Sequence, residues 1–166
     1  MKDKCAAVAL AATFLLANPA IADDGFAAIA AKIRAAEEKA PGIPMDRSLY
    51  ADTVTYGHNI GPAHAQPADK LLAVIGPEQE SFSRFVADRK MKLLRFVASG
   101  DTVVAESEMS GTLPDKTAFV TKTAVFFTIE NGRIAKMELW ADPILGQKFE
   151  ANMEQDPAVI AARKAK

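Results

Sequence analysis

The Asn131-Gly132 step constrains this chain more than any other feature, because it joins two long runs in which apolar and polar residues alternate. A two-residue type I′ turn needs positive φ at both central positions, and Asn-Gly meets that need at the least steric cost. The step predicts a hairpin. A second tight connection, Pro114-Asp115-Lys116, extends the pattern upstream, giving three long strands: Thr102 to Leu113, Thr117 to Glu130 and Arg133 to Asp142. Alternation places Val103, Ala105, Ser107, Met109 and Gly111 on one face and Thr102, Glu106, Glu108 and Ser110 on the other. The first face is apolar and should cover a core. Glu106 and Glu108 are then expected on a solvated or partner-facing side, an assignment that inverts if the phase slips by one residue.

Upstream, Phe26, Ile29, Ile33 and Ala36 recur at helical spacing, and Pro41-Gly42-Ile43-Pro44 should stop that helix. Asp46 to Ala51 suits one helical turn, and Thr53 to Asn59 reads as a strand that points Tyr56 and His58 the same way. Ile60 to Ala68 reads as an irregular loop, and Lys70 to Ile75 as a short helix. Gly76-Pro77 then opens a separate helix over Glu78 to Asp88. Lys90 to Ser99 is expected to be a strand, Pro143 to open a helix carrying Ile144, Leu145, Phe149 and Met153, and the tail after Pro157 to fray. Helices and a strand followed by a meander indicate an α+β fold. Its curved, mostly antiparallel sheet should wrap around helices into a cone.

With 166 residues, 49% hydrophobic and 25% charged, the chain suffices for one domain with a real core. A net charge of -1 without a local Lys/Arg cluster argues against nucleic acid as a partner. Lys2 and Lys4, the apolar run Ala6 to Ala17 and the small-residue pattern Ala20-Ile21-Ala22 read as a signal peptide over residues 1–22. Residues 23–166 then form the single domain, and the protein is expected to be periplasmic or secreted. The apolar run is too short for a stable membrane anchor. Cys5, the only cysteine, lies inside this leader, so the mature chain would hold neither a disulfide nor a thiolate metal site. His58 and His64 are too few for a metal centre, and no phosphate-binding glycine loop or G-x-S-x-G nucleophile motif occurs. No cofactor is expected.

Phe126-Phe127-Thr128-Ile129-Glu130-Asn131-Gly132-Arg133-Ile134, followed by Trp140-Ala141-Asp142-Pro143, resembles the closing strands of the SnoaL-like, nuclear transport factor 2-like superfamily. Leu49 to Tyr56 resembles its first strand and Gly76-Pro77-Glu78-Gln79 the start of its pocket helix, so the likeness spans about Phe26 to Phe149. The resemblance implies a cone-shaped α+β barrel, often a homodimer through the outer sheet face. It also implies an apolar cavity of the kind used by isomerases, cyclases, dehydratases, epoxide hydrolases and non-enzymatic binders. Fold alone does not choose among them.

An aspartate at the position of Asp142 is a catalytic acid or base in the limonene-epoxide hydrolases and polyketide cyclases of this superfamily. Beside Trp140 in a dry cavity its charged form would be disfavoured, which suits proton transfer. The competing use of Asp142 is to cap the helix that opens at Pro143. Tyr56 and His58 resemble the tyrosine and asparagine that position water in the epoxide hydrolases; their ordinary alternatives are a packed tyrosine and a strand-end histidine bonded to a loop carbonyl. Trp140, Ser107, Met109, Phe82 and Phe119 are the candidate ligand-binding walls, and His64 is expected in solvent. The hydrolases carry an arginine and a second aspartate where this chain has Ser107 and Met109, so the relay for epoxide opening is missing. Two functions remain open: a proton-transfer or hydration enzyme acting on a small, largely apolar organic molecule, and a non-catalytic ligand-binding or dimeric interaction domain.

Overall fold

The computed structural model describes residues 24–59 and 61–165; the expected leader, residues 1–22, lies outside the described residues. In chain order the elements are α1 (Asp24–Lys39), a 3-10 turn (Arg47–Leu49), β1 (Tyr50–His58), β2 (Gly61–Pro67), α2 (Ala68–Phe85), β3 (Lys90–Ser99), β4 (Thr102–Thr112), β5 (Ala118–Glu130), β6 (Arg133–Trp140), α3 (Pro143–Met153) and α4 (Pro157–Lys164).

Asn131 and Gly132 take φ of 51° and 68°, the left-handed values that a type I′ turn requires, and pair β5 with β6. The six strands form one sheet in the order β2-β1-β6-β5-β4-β3. Every neighbouring pair is antiparallel except β1 with β6, which run parallel. This mixed sheet wraps around the helices in the cone architecture of the nuclear transport factor 2-like fold.

The expected faces of β4 are observed: Val103, Ala105, Ser107 and Met109 are buried, while Glu106 meets Arg95 and Lys122 on the outer side. Phe127, Tyr50, Ile33, Leu71, Ile134 and Met137 form the centre of the core, each no more than 2% exposed. Burying a side chain of this size stabilises the fold by about 1.5–3 kcal/mol. Tyr50 donates its hydroxyl proton to the Pro44 carbonyl, so its polar tip is satisfied inside the core. Ile29 and Ile33 turn α1 toward the sheet, and the helix ends before Pro41 as its prolines demand.

Three elements differ from expectation. The segment read as a loop is the edge strand β2, pairing Tyr56 with His64. Its residues are almost all exposed, so no apolar alternation announces it, and an edge position tolerates Pro62 and Pro67. The two short helices expected around Gly76-Pro77 are one helix, α2. Pro77 forfeits only the bond to the Ala73 carbonyl, and burial of Leu71, Val74, Ile75 and Ser81 outweighs that loss. The tail forms α4 rather than fraying: Asp156 caps it by accepting from the Ala158 N–H, and Val159 is fully buried. At Gly111 a Cβ would collide with Val86 Cγ1, so the chain leaving α2 can lie against β4 only because that position lacks a side chain.

Candidate functional site

A partly enclosed cavity of about 480 Å³ lies between the inner face of the sheet and the helices. That volume falls within the range of small-molecule sites. Met109, Val125 and Leu139 line it from the sheet, Phe82 from α2, and Phe149 and Met153 from α3, making it mostly apolar. A second depression, of about 490 Å³, runs between α1 and β3. Arg34, Glu38, Lys92 and Arg95 edge it. Those charged groups keep their hydration in a surface trough, so the apolar cavity is the candidate site.

Tyr56 and His58 both line this cavity, two residues apart on β1, with ring centroids 4.8 Å apart and planes at 67°. Burial pushes the Tyr56 phenol well above its ordinary value, so it stays protonated and can only lend its proton to a hydrogen bond. Burial also pushes the His58 imidazole below its ordinary value. Glu78 and Glu150 pull it back up in part, and Arg163 opposes them. A neutral imidazole at the cavity wall is a competent proton acceptor.

Asp142 reaches the same cavity from the other side of the β1–β6 seam. Asn59 fixes it there: its Nδ2 donates to the Ala141 carbonyl at 2.9 Å, and the Ala141 N–H donates back to Oδ1 at 3.3 Å. The Asp142 carboxylate caps α3, with Oδ1 accepting from the Ile144 N–H at 2.8 Å and the Leu145 N–H at 3.1 Å. Oδ2 accepts no hydrogen bond among the described residues.

The remaining candidates divide. Phe82 and Met109 line the cavity. Phe119 does not; it stands behind the wall, its ring centroid 6.3 Å from that of Phe149. Ser107 is buried on the inner face without lining the cavity. Trp140 was expected to face inward with Asp142, but it is 53% exposed on the outer face beside Phe126, at 6.4 Å between ring centroids. The reason is a register shift between Thr128 and Ile129: after it Met137 and Leu139 point inward, so Trp140 points out. Asp142 lies beyond the strand end, where alternation no longer governs direction. His64 is exposed, as expected.

Sequence reasoning missed an ionic cluster at the cavity. Arg163 of α4 donates from Nη1 and Nη2 to both carboxylate oxygens of Glu150 on α3, at 2.6 and 3.0 Å, and from Nε to Glu78 Oε1 on α2 at 2.9 Å. Three helices are thereby joined. The guanidinium holds the Glu150 carboxyl below its ordinary value and is itself held above its own. The weak signal was Val159 and Arg163 at i, i+4 in a tail of otherwise mixed pattern. Glu37 on α1 was also missed: it is 1% exposed, its Oε2 accepts from the Gly42 N–H at 3.1 Å, and its Oε1 has no partner among the described residues. Burial pushes its carboxyl up to about 7. Among the described residues, no group of three or more His, Cys, Asp or Glu could hold a metal ion, and no helix is long and apolar enough to cross a membrane.

An α+β cone enclosing an apolar cavity defines the nuclear transport factor 2-like class, and the chain belongs to the SnoaL-like domain family, which matches residues 39–137. A protein from Jannaschia sp. assigned as a SnoaL-like polyketide cyclase is similar in structure, with a TM-score of 0.56 at 11% identity, covering 79% of this chain and 94% of that one. A nuclear transport factor 2-like protein of unknown function from Burkholderia pseudomallei aligns with a TM-score of 0.54 at 16% identity, over 76% and 98% of the two chains. A protein of unknown function with a cystatin-like fold from Xanthomonas campestris gives 0.50 at 19% identity, over 72% and 96%. At these identities the likeness is one of fold. No curated protein matches the chain.

Proposed function

We propose that this protein takes a small, largely apolar organic molecule into the cavity and moves a proton on it, with Asp142, His58 and Tyr56 as the acting groups. The observation that carries the reading is a mostly apolar cavity of about 480 Å³ whose wall includes a neutral imidazole in contact with a protonated phenol, and the side chain of Asp142. His58 accepts a proton from a carbon next to a carbonyl, Tyr56 donates a hydrogen bond to the oxygen that becomes an enolate, and the proton returns to the skeleton at the same or a neighbouring carbon. Asp142, anchored through Oδ1, offers Oδ2 to orient the imidazole or a water.

The test is exchange of the α-protons of 2-tetralone in D2O, followed by NMR. His58→Gln should slow the protein-catalysed rate by about 100-fold. Asp142→Asn, which keeps the oxygen needed for the cap, should slow it by a smaller factor. Equal rates in wild type and both variants would remove these residues from the reaction.

A second reading, a non-catalytic binding or dimeric interaction domain, is favoured by the cap that occupies Asp142 Oδ1 and by Ser107 and Met109 standing where the hydrolases carry charge. It prevails if 2-tetralone binds and no exchange exceeds buffer. Both readings include a homodimer through the outer sheet face, where Phe126, Trp140 and Val97 are exposed at 36%, 53% and 47%. Trp140→Glu should shift sedimentation at micromolar concentration toward the monomer. Export to the periplasm or medium is proposed from residues 1–22 alone; a mature mass beginning at Asp23 would support it, and an intact leader on the accumulated protein would reject it.

A further inference from the structure

The cavity's charges are unevenly paired, and the pairing indicates what the ligand carries. Three acids line it. Glu78 and Glu150 are both taken by Arg163, and Asp142 is held by two backbone N–H groups. Two cations line it besides Arg163's network: Lys39, exposed in the last turn of α1, and Arg89, partly buried just before β3. Arg89 has no carboxylate within 4.0 Å among the described residues; its neighbour Asp88 instead accepts from the Thr112 N–H and hydroxyl.

What holds Arg89 in place is neutral. Its Nη2 donates to Ser83 Oγ at 3.0 Å, and its Cζ lies 4.7 Å from the centroid of the Phe82 ring. Such contacts orient a guanidinium without neutralising it. Burial lowers its pKa, and no carboxylate offsets the lost water. A guanidinium has five N–H donors in a planar fork, so several remain for a planar anion presented from the cavity.

We infer that Arg89 is the seat for an acidic group on the ligand, so that the molecule the cavity takes is an organic carboxylate with an apolar skeleton. The inference rests on the cavity reading above and adds the ligand's chemical class. The topology also separates the acid's seat from His58. Arg89 borders β3 and His58 ends β1, with β6, β5 and β4 between them. That is four interstrand steps, about 19 Å measured along the curved sheet. Both nevertheless line the same hollow, which the curled sheet crosses by a shorter path, so a ligand touching both holds its acid apart from the carbon that loses a proton. Binding energy collected at the acid can then position the far end.

The experiment compares 2-naphthoate with methyl 2-naphthoate, the same skeleton with and without the charge, by isothermal titration calorimetry at pH 7.5. Wild type should bind the acid at least about tenfold more tightly than the ester, the factor expected of a charge-assisted hydrogen bond. Arg89→Met, which keeps an apolar stem over Phe82, should bring the two affinities within about twofold, and Arg89→Lys should retain part of the preference. The wild-type comparison needs no variant to fold. Equal affinities in wild type, or a preference that persists in folded Arg89→Met, overturn the inference while leaving the cavity reading standing. If neither compound binds, both readings fall together.

Discussion

The two sides of the cavity handle charge in opposite ways. Where α2, α3 and α4 meet, Arg163 satisfies two carboxylates and Asp142 is held by backbone N–H groups. Toward α1 and β3, among the described residues, Glu37 is buried behind the cavity wall with one N–H and no cation, and Arg89 is partly buried at the wall with no anion. The first arrangement ties three helices together and costs little to keep. The second holds groups whose desolvation is not repaid within the described residues, which is what a ligand or a proton can relieve.

The largest test of this contrast is at Glu37. The folded protein keeps that proton up to about 7, while the unfolded chain releases it near the ordinary 4.5. Between those values the folded state binds more protons, so stability falls as pH rises, by on the order of 3 kcal/mol. Glu37→Gln removes the titration and should be the more stable protein at pH 8. Urea unfolding of both proteins from pH 4.5 to 8 measures the difference; parallel profiles would show that Glu37 is not isolated from compensating charge.

A smaller effect is expected on the balanced side. Arg163→Met leaves Glu78 and Glu150 without their cation, and since these side chains are partly exposed the cost should be about 1–2 kcal/mol. The same change removes a repulsion from His58 and frees two attractions, so its NMR titration should move upward. A stationary His58 would mean that the carboxylates swing away with α4 and that the cluster does not tune the imidazole. Smallest is the cap: Asp142→Ala should cost about 1 kcal/mol and Asp142→Asn only a few tenths, read by chemical denaturation. Equal costs would mean that the carboxylate charge, rather than the accepting oxygen, matters for stability.

Much of this was legible in the chain. The β4–β6 meander, the Asn131-Gly132 turn, the inward face of β4 and the pairing of Tyr56 with His58 all follow from alternation and turn chemistry, and all are observed. Trp140 was misassigned because one register shift reverses every side chain beyond it, and a shift leaves no mark in a run of mixed residues. Arg89 and Glu37 look like ordinary surface charges in the sequence; only their surroundings set them apart.

By itself, then, the chain determined the features whose cause is local: period-two strands, positive-φ turns, and proline and aspartate at helix starts, where a few neighbouring residues carry the whole free-energy difference. Tertiary structure alone decided whether polar β2 finds an edge to pair with, whether α2 runs through Pro77, whether the tail docks as α4, and which charges lose water without a partner. Those outcomes depend on groups far apart in sequence, because desolvation and pairing are properties of an enclosed volume and not of a segment.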